Sequence, residues 1–143
     1  MHDILHDFPV RASAAAVFTA VSSPRGLDAW WTLTSAGEPS LGSEYALGFG
    51  PEFMWRARVS RCDPPTRFEF TLTLADEDWT GTRVSFECEE RSGVTTVRFS
   101  HCGWPHANSH YRTSSFCWAM YLRLLARYVE RGEVVPYTQR LED

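Results

Sequence analysis

The hydrophobic pattern of this chain changes period along its length, and that change limits the folds open to it. From residue 45 to residue 102, apolar and polar side chains alternate through five segments, separated by short turns rich in Gly, Pro and Asp. Such alternation predicts antiparallel strands with one buried and one solvated face. The inward positions include Tyr45 and Phe49; Phe53, Trp55, Ala57 and Val59; Phe68, Phe70 and Leu72; Val84, Phe86 and Cys88; and Val97, Phe99 and His101.

The last third of the chain follows a helical period instead. Trp118, Leu122, Leu125 and Val129 fall on one stripe, and arginines occupy the opposite side. Gly132 is a suitable residue to end the helix. We therefore expect a C-terminal helix of about five or six turns. It is the one element long enough to cover the apolar face of the sheet.

The N-terminal third supplies one more strand and two short helices. Residues 4–10 alternate as a strand does, Ser13 is placed to cap a first helix, and Pro24 is placed to start a second. Residues 34–43 are rich in Gly, Pro and Ser and are predicted to form a loop. The expected fold is α+β, with a curved six-stranded antiparallel sheet wrapped around the long helix in a single domain spanning residues 1–143.

Charge and composition exclude several classes of protein. The net charge is −4, so we expect no nucleic-acid partner. No apolar run approaches the roughly 18 residues that span a bilayer, and the acidic N-terminus is unlike a secretory signal. We expect a cytoplasmic protein in which Cys62, Cys88, Cys102 and Cys117 stay reduced. All fourteen basic residues are arginine, which indicates GC-rich codons and a bacterial source.

Aromatic residues make up 14% of the chain, and they either fill the interior or line a cavity. We favour a cavity between sheet and long helix that binds a small, largely apolar molecule. Its predicted lining is Trp30, Trp31, Tyr45, Phe49, Phe53, Trp55, Phe70, Phe86, His101, Trp118, Tyr121 and Leu122. A core completely filled by these rings is the alternative.

Catalytic and metal chemistry have weaker support in the sequence. His101 ends a strand on its inward face and could orient a ligand or act as acid and base, with Tyr45 or Tyr121 assisting. His106 and His110 have the i, i+4 spacing of helical metal ligands, but no H-E-x-x-H glutamate accompanies them. We predict no metal, no cofactor and no identified catalytic residue.

Several segments resemble the START/polyketide-cyclase-like superfamily (SRPBCC, birch-pollen-allergen-like), and within it the branch of heat-shock-protein ATPase activator homologues. They are FPVRAS at 8–13, VFTAV at 17–21, SPRGLDAWW at 23–31, DPPTRF at 63–68, HCGW at 101–104, and Trp118 followed by Leu122 and Leu125. The resemblance implies the helix-grip fold and a hydrophobic cavity for lipid-like or polyketide-like molecules.

The resemblance leaves three functions open. The leading one is binding of a small apolar molecule without catalysis. The others are a cyclase or dehydratase type of enzyme using His101, and a protein that interacts with a chaperone. A monomer and a homodimer are both compatible with the sequence.

Overall fold

The computed structural model of the protein describes residues 1–141, so the last two residues of the predicted 1–143 domain lie outside it. Three helices accompany one antiparallel sheet of seven strands, in the order β1-β7-β6-β5-β4-β3-β2. The strands are β1 (His2–Val10), β2 (Thr34–Ala36), β3 (Glu44–Gly48), β4 (Met54–Asp63), β5 (Arg67–Leu74), β6 (Arg83–Arg91) and β7 (Val94–Trp104). The helices are α1 (Ala14–Ser22), α2 (Pro24–Trp30) and α3 (Ser109–Arg131), followed by a 3-10 turn at Tyr137–Gln139.

The predicted α+β helix-grip fold is confirmed, with one strand more than expected. The start of the predicted loop 34–43 pairs with β3, Thr34 opposite Gly48 and Ala36 opposite Ala46, and forms the short edge strand β2. Three residues are too few to display a strand period, so the pairing with β3 decides their conformation.

The helices begin and end at the residues from which their ends were predicted. The side chain of Ser13 accepts a hydrogen bond from the Ala16 amide at the start of α1, and Pro24 opens α2. Gly132 ends α3 in the left-handed conformation, with φ of 70°. The side chain of Asn108, which the sequence did not single out, caps the start of α3.

Helix α3 lies against α1, α2 and β1, and its predicted apolar stripe is buried at Trp118, Leu122 and Leu125. Register shifts in β4, between Arg56 and Ala57 and again between Val59 and Arg61, bend the sheet around the helices. Within residues 1–141, no helix is long and apolar enough to cross a membrane.

A close approach between α1 and α2 fixes the first of two adjacent tryptophans. A Cβ on Gly26 would lie 2.5 Å from the carbonyl oxygen of Ala20, so only glycine fits at this corner. The indole Nε1 of Trp30 donates to that same carbonyl at 2.9 Å. The following residue, Trp31, is thereby held at the end of α2, facing the sheet.

Candidate functional site

Aromatic rings pack directly against one another in the middle of the concave sheet face. Tyr45, Phe70, Phe86 and Trp30 are at most 1% exposed, and the Tyr45 and Phe70 ring centroids lie 4.9 Å apart. The Tyr45 hydroxyl donates to the Ser22 carbonyl at 2.5 Å. These four residues, which the sequence analysis placed around a cavity, contact one another in pairs, and Trp30 and Tyr45 also donate to backbone carbonyls.

A recess of about 240 Å³ lies at one end of the sheet, beside the first half of α3. We call it the cleft. Rings from β4, from the ends of β3 and α2 and from the β5–β6 loop line one side, α3 lines the other, and the C-terminal tail reaches its edge. Its lining residues are Trp31, Phe49, Trp55, Trp79, His110, Thr113, Ser114, Cys117, Trp118, Tyr121 and Leu141.

Five of these side chains form a closed ring of aromatic contacts. Going around it, the centroid separations are 5.3 Å from Trp31 to Phe49, 4.9 Å from Phe49 to Trp55 and 5.1 Å from Trp55 to Trp79. The ring closes with 5.8 Å from Trp79 to Trp118 and 5.1 Å from Trp118 to Trp31. Each of its members borders the cleft. Such a lining offers a large, stiff apolar surface to a ligand.

His101 lies behind this aromatic ring and holds two of its members in place. The indole Nε1 of Trp118 donates to His101 Nδ1 at 3.1 Å, and an indole nitrogen can only donate. The proton of His101 therefore lies on Nε2, which is 2.7 Å from the hydroxyl of Thr82. That hydroxyl in turn donates to the Trp79 carbonyl at 2.6 Å. One chain of hydrogen bonds thus joins Trp118 on α3 to Trp79 in the β5–β6 loop.

The environment of His101 does not suit the role of acid or base that the sequence left open as an alternative. The residue is 0% exposed, and burial lowers its pKa to about 3. Both ring nitrogens are already occupied, so neither is free for a ligand. The assisting hydroxyls are equally unsuited, since burial raises the pKa of Tyr45 far above its usual range and that of Tyr121 to about 12.

The polar rim of the cleft is built around His110 in the first turn of α3. Its Nδ1 lies 2.9 Å from Asp78 Oδ2, and its Nε2 lies 3.6 Å from Asp76 Oδ2. Asp78 also accepts from the side-chain amide of Asn108 at 3.4 Å, and these two hydrogen bonds lower the pKa of Asp78. The imidazole is 41% exposed. The cleft therefore has one oriented imidazole at its edge.

The C-terminal tail completes the wall of the cleft through Leu141. The neighbouring Arg140 is buried, and its guanidinium donates to the carbonyl oxygens of Thr32, Asp28 and Val135 at 2.6–2.9 Å. Three bonds to backbone carbonyls anchor the tail across the end of α2, which places Leu141 beside the aromatic ring.

A model of the family described as "Activator of Hsp90 ATPase homolog 1-like protein" matches residues 11–130. The chain belongs to that family. The matched segment runs from the residue before Ala12 to the last turn of α3, and so contains every element except β1 and the tail. No curated protein is significantly similar to the sequence.

Solved structures of similar shape agree with this family. The Aha1 dimer from Colwellia psychrerythraea is 27% identical, with a TM-score of 0.83, over 93% of this chain and 99% of that one. Protein MLL2253 from Mesorhizobium loti is 15% identical, with a TM-score of 0.81, over 93% and 100%. CalU16 from Micromonospora echinospora is 18% identical, with a TM-score of 0.73, over 91% and 77%. The latter two similarities establish the fold only.

In this member of the family, five of the twelve predicted lining residues border the cleft: Trp31, Phe49, Trp55, Trp118 and Tyr121. Two others lie away from the cleft. Phe53 is 54% exposed at the β3–β4 turn, because β4 begins only at Met54 and the alternation does not reach it. Leu122 borders a separate groove between α3 and β1, which His6 also lines.

The cleft residues that the sequence analysis missed come from the β5–β6 loop, from the C-terminal tail and from the first half of α3. Trp79 lies in the segment 75–82 between β5 and β6, where no period marks it as buried, and it is only 8% exposed. His110 was considered with His106 as a metal pair, but His106 precedes α3, so the two do not share a helical face. Among residues 1–141, no three His, Cys, Asp or Glu side chains are grouped to hold a metal ion.

Proposed function

We propose that the protein binds a compact, largely apolar molecule, of about the size of two fused aromatic rings, in the cleft. The five mutually contacting aromatic side chains that border a recess of about 240 Å³ carry this proposal. No carboxylate or guanidinium is among its lining residues in the described part of the chain. Membership of a ligand-binding fold family supports the same conclusion.

The size of the cleft sets the affinity that we expect. A fused-ring ligand that loses about 250 Å² of apolar surface to the cleft gains roughly 6 kcal/mol. Loss of translational and rotational freedom cancels most of that gain, so we expect weak binding, with a dissociation constant in the millimolar range or above. This is the affinity of a binding site for an abundant metabolite or for a larger molecule that inserts one ring system.

Titration with 2-methylnaphthalene, followed by the indole NH signals of the protein in two-dimensional NMR, tests the proposal. We expect saturable shifts for Trp31, Trp55 and Trp79. Phe49→Ala removes one member of the aromatic ring and should weaken binding about tenfold. Phe53→Ala, four residues away in the same hairpin, is the matched control and should bind as the unchanged protein does. Equal losses in the two variants, or no saturable shift, would contradict the proposal.

Three further properties of the protein are also proposed. The Colwellia psychrerythraea relative is a dimer, which supports a homodimer here, and light scattering across a concentration series measures it. The four cysteines are free, which is in keeping with the cytoplasmic location expected from the sequence. A chaperone partner has only the family name in its favour, and a pull-down with Hsp90 tests it.

A further inference from the structure

We propose that the groove between β1 and α3 binds an extended peptide segment of another protein, which adds a strand to the free edge of β1. In this segment, apolar residues that face α3 alternate with basic residues that face away from it. The groove is separate from the cleft, so this inference does not depend on the function proposed for the cleft.

Strand β1 forms one edge of the sheet and pairs with β7 on its other side. In a strand, the backbone N–H and C=O groups of successive residues point to opposite sides. The Asp3 carbonyl accepts from the Tyr111 hydroxyl at 2.6 Å, and the Arg11 amide, just after β1, donates to Glu130 Oε2 at 2.8 Å. Both partners belong to α3. The odd-numbered residues therefore direct their backbone groups away from β7 and toward this helix.

Leu5, Asp7 and Pro9 lie between these two contacts and share the same side of the strand. Within residues 1–141, no group of α3 forms a hydrogen bond with the backbone of these three residues. Their carbonyl oxygens and the amides of Leu5 and Asp7 are open to a further strand, whereas proline has no N–H to donate. At about 3.3 Å per residue, this open edge is about 17 Å long.

A groove of about 340 Å³ separates the open edge of β1 from α3. Four consecutive residues, 6–9, line one side of it. One face of a strand presents only every second side chain, so a lining of consecutive residues places the groove at the edge of β1. Ala119, Leu122 and Ala126 line the side of α3. Apolar side chains of an added strand would pack on these three residues.

Charge determines which side chains suit the outer face of the added strand. Asp7 is exposed, and its neighbour on β7, Arg98, pairs with Glu89 instead. The Asp7 carboxylate forms no ion pair within the described part of the chain, so it is available to a basic residue opposite it on the added strand. Arg123 borders the groove from α3 and disfavours a basic residue on the inner face. An alternating apolar and basic segment satisfies both conditions.

A second copy of the chain fits this edge less well than a peptide does. Antiparallel pairing of two β1 strands centred on Asp7 places two aspartates opposite each other, and pairing centred on Leu5 places Asp3 opposite Asp7. The contacts at Asp3 and Arg11 limit the pairing to the short edge between them. Such a pairing by itself falls short of the roughly 1,000 Å² that a specific interface between folded proteins buries.

Titration with the peptide acetyl-TVKVKVT-amide, followed by two-dimensional NMR, tests the inference. Its valines supply the inner face, and its two lysines allow either direction of the added strand. We expect saturable shifts at the amides of Leu5 and Asp7 and none at the indole signals of the cleft. Ala119→Leu narrows the groove and should weaken binding about fivefold or more. Ala15→Leu, the same change at an exposed position of α1, is the matched control and should leave binding unchanged.

Two further comparisons identify the mode of binding. N-methylation of successive peptide residues should weaken binding at alternate positions, because only every second amide of an added strand faces β1. Asp7→Lys should weaken binding of this peptide about three- to fivefold and strengthen binding of acetyl-TVEVEVT-amide by a similar factor.

Failure of the lysine peptide to bind the unchanged protein would overturn the inference. Equal losses at neighbouring N-methylated positions, or an unchanged preference in Asp7→Lys, would do the same. Self-association that is abolished by Ala119→Leu and left intact by Ala15→Leu, measured by light scattering, would assign the groove to a second copy and overturn the peptide assignment. None of these results bears on binding of an apolar molecule in the cleft.

Discussion

Aromatic side chains occupy both the middle of the concave sheet face and the cleft at its end, but they do different things there. In the middle, Tyr45, Phe68 and Phe70 meet edge to face at 4.8–6.2 Å, and α1 covers them with Phe18. At the end, the five rings of the cleft meet at similar separations but border a recess.

The difference lies in the backbone behind the rings. In the middle, every ring comes from paired strands or from a helix packed onto them, so opposing side chains fill the gap. At the end, Trp79 comes from a loop, Phe49 from a hairpin turn and Trp31 from the residue that follows α2. The backbone segments at the cleft lie further apart than paired strands do. Aromatic side chains there border an open recess, whereas in the middle of the sheet they fill the interior. Aromatic content alone therefore does not predict a cavity.

The largest expected effect is the loss of protein stability when a ring in the middle of the sheet is removed, compared with the loss when a ring of the cleft is removed. Phe70→Ala should lower the free energy of unfolding by about 3–5 kcal/mol, because it leaves a void among interlocked rings. Trp55→Ala removes a larger side chain, but one that is only partly buried, and should cost about 1–2 kcal/mol. Urea unfolding of both variants measures the difference. An equal cost would mean that the cleft is as tightly packed as the middle.

His101 stands between the two regions, and its burial predicts a dependence of stability on pH. Its pKa is about 3 in the folded protein and about 6.5 in the unfolded chain. Below pH 6.5 the unfolded chain gains a proton that the folded protein does not, so stability falls as the pH falls. The slope is about 1.4 kcal/mol per pH unit, which gives about 2 kcal/mol between pH 6.5 and 5.

Unfolding titrations of the unchanged protein and of His101→Gln across that pH range isolate this contribution. The glutamine variant should have the flatter profile, and His106→Gln, changed at an exposed histidine, should keep the original slope. Parallel profiles for the unchanged protein and His101→Gln would show that His101 is accessible to protons in the folded state.

The smallest expected effect compares two tryptophans of the cleft. Trp118→Phe removes the donor to His101 and leaves a buried acceptor unpaired. No described residue bonds to the indole nitrogen of Trp79, so Trp79→Phe removes ring volume alone. We expect Trp118→Phe to be the more destabilising by about 1 kcal/mol, as measured by urea unfolding. The reverse order would argue against the hydrogen-bond chain through His101.

The sequence predicted the fold well because its signals are local. The alternation in β5, β6 and β7, the stripe on α3, the cap at Ser13 and the helix start at Pro24 each depend on neighbours within a few residues. Strand β2 escaped prediction because only its pairing with β3 makes it a strand.

The candidate site was predicted only in part, because the signals in the sequence are local. Strand alternation placed Trp55 on the interior side, and the helical period did the same for Trp118. Neither pattern could separate residues that line a recess from residues that fill the core. Neither gave weight to Trp79, which reaches the cleft from a loop, or to Leu141, which the anchored tail brings there.

The amino-acid pattern by itself determined which face of each strand and of α3 is buried, because the side-chain period is a property of the local backbone. The distribution of space within that interior was decided only by the tertiary structure. It depends on the distances between the β3–β4 turn, the β5–β6 loop, the end of α2 and the C-terminal tail. These segments are far apart in the sequence, so no local hydrophobic period contains information about those distances.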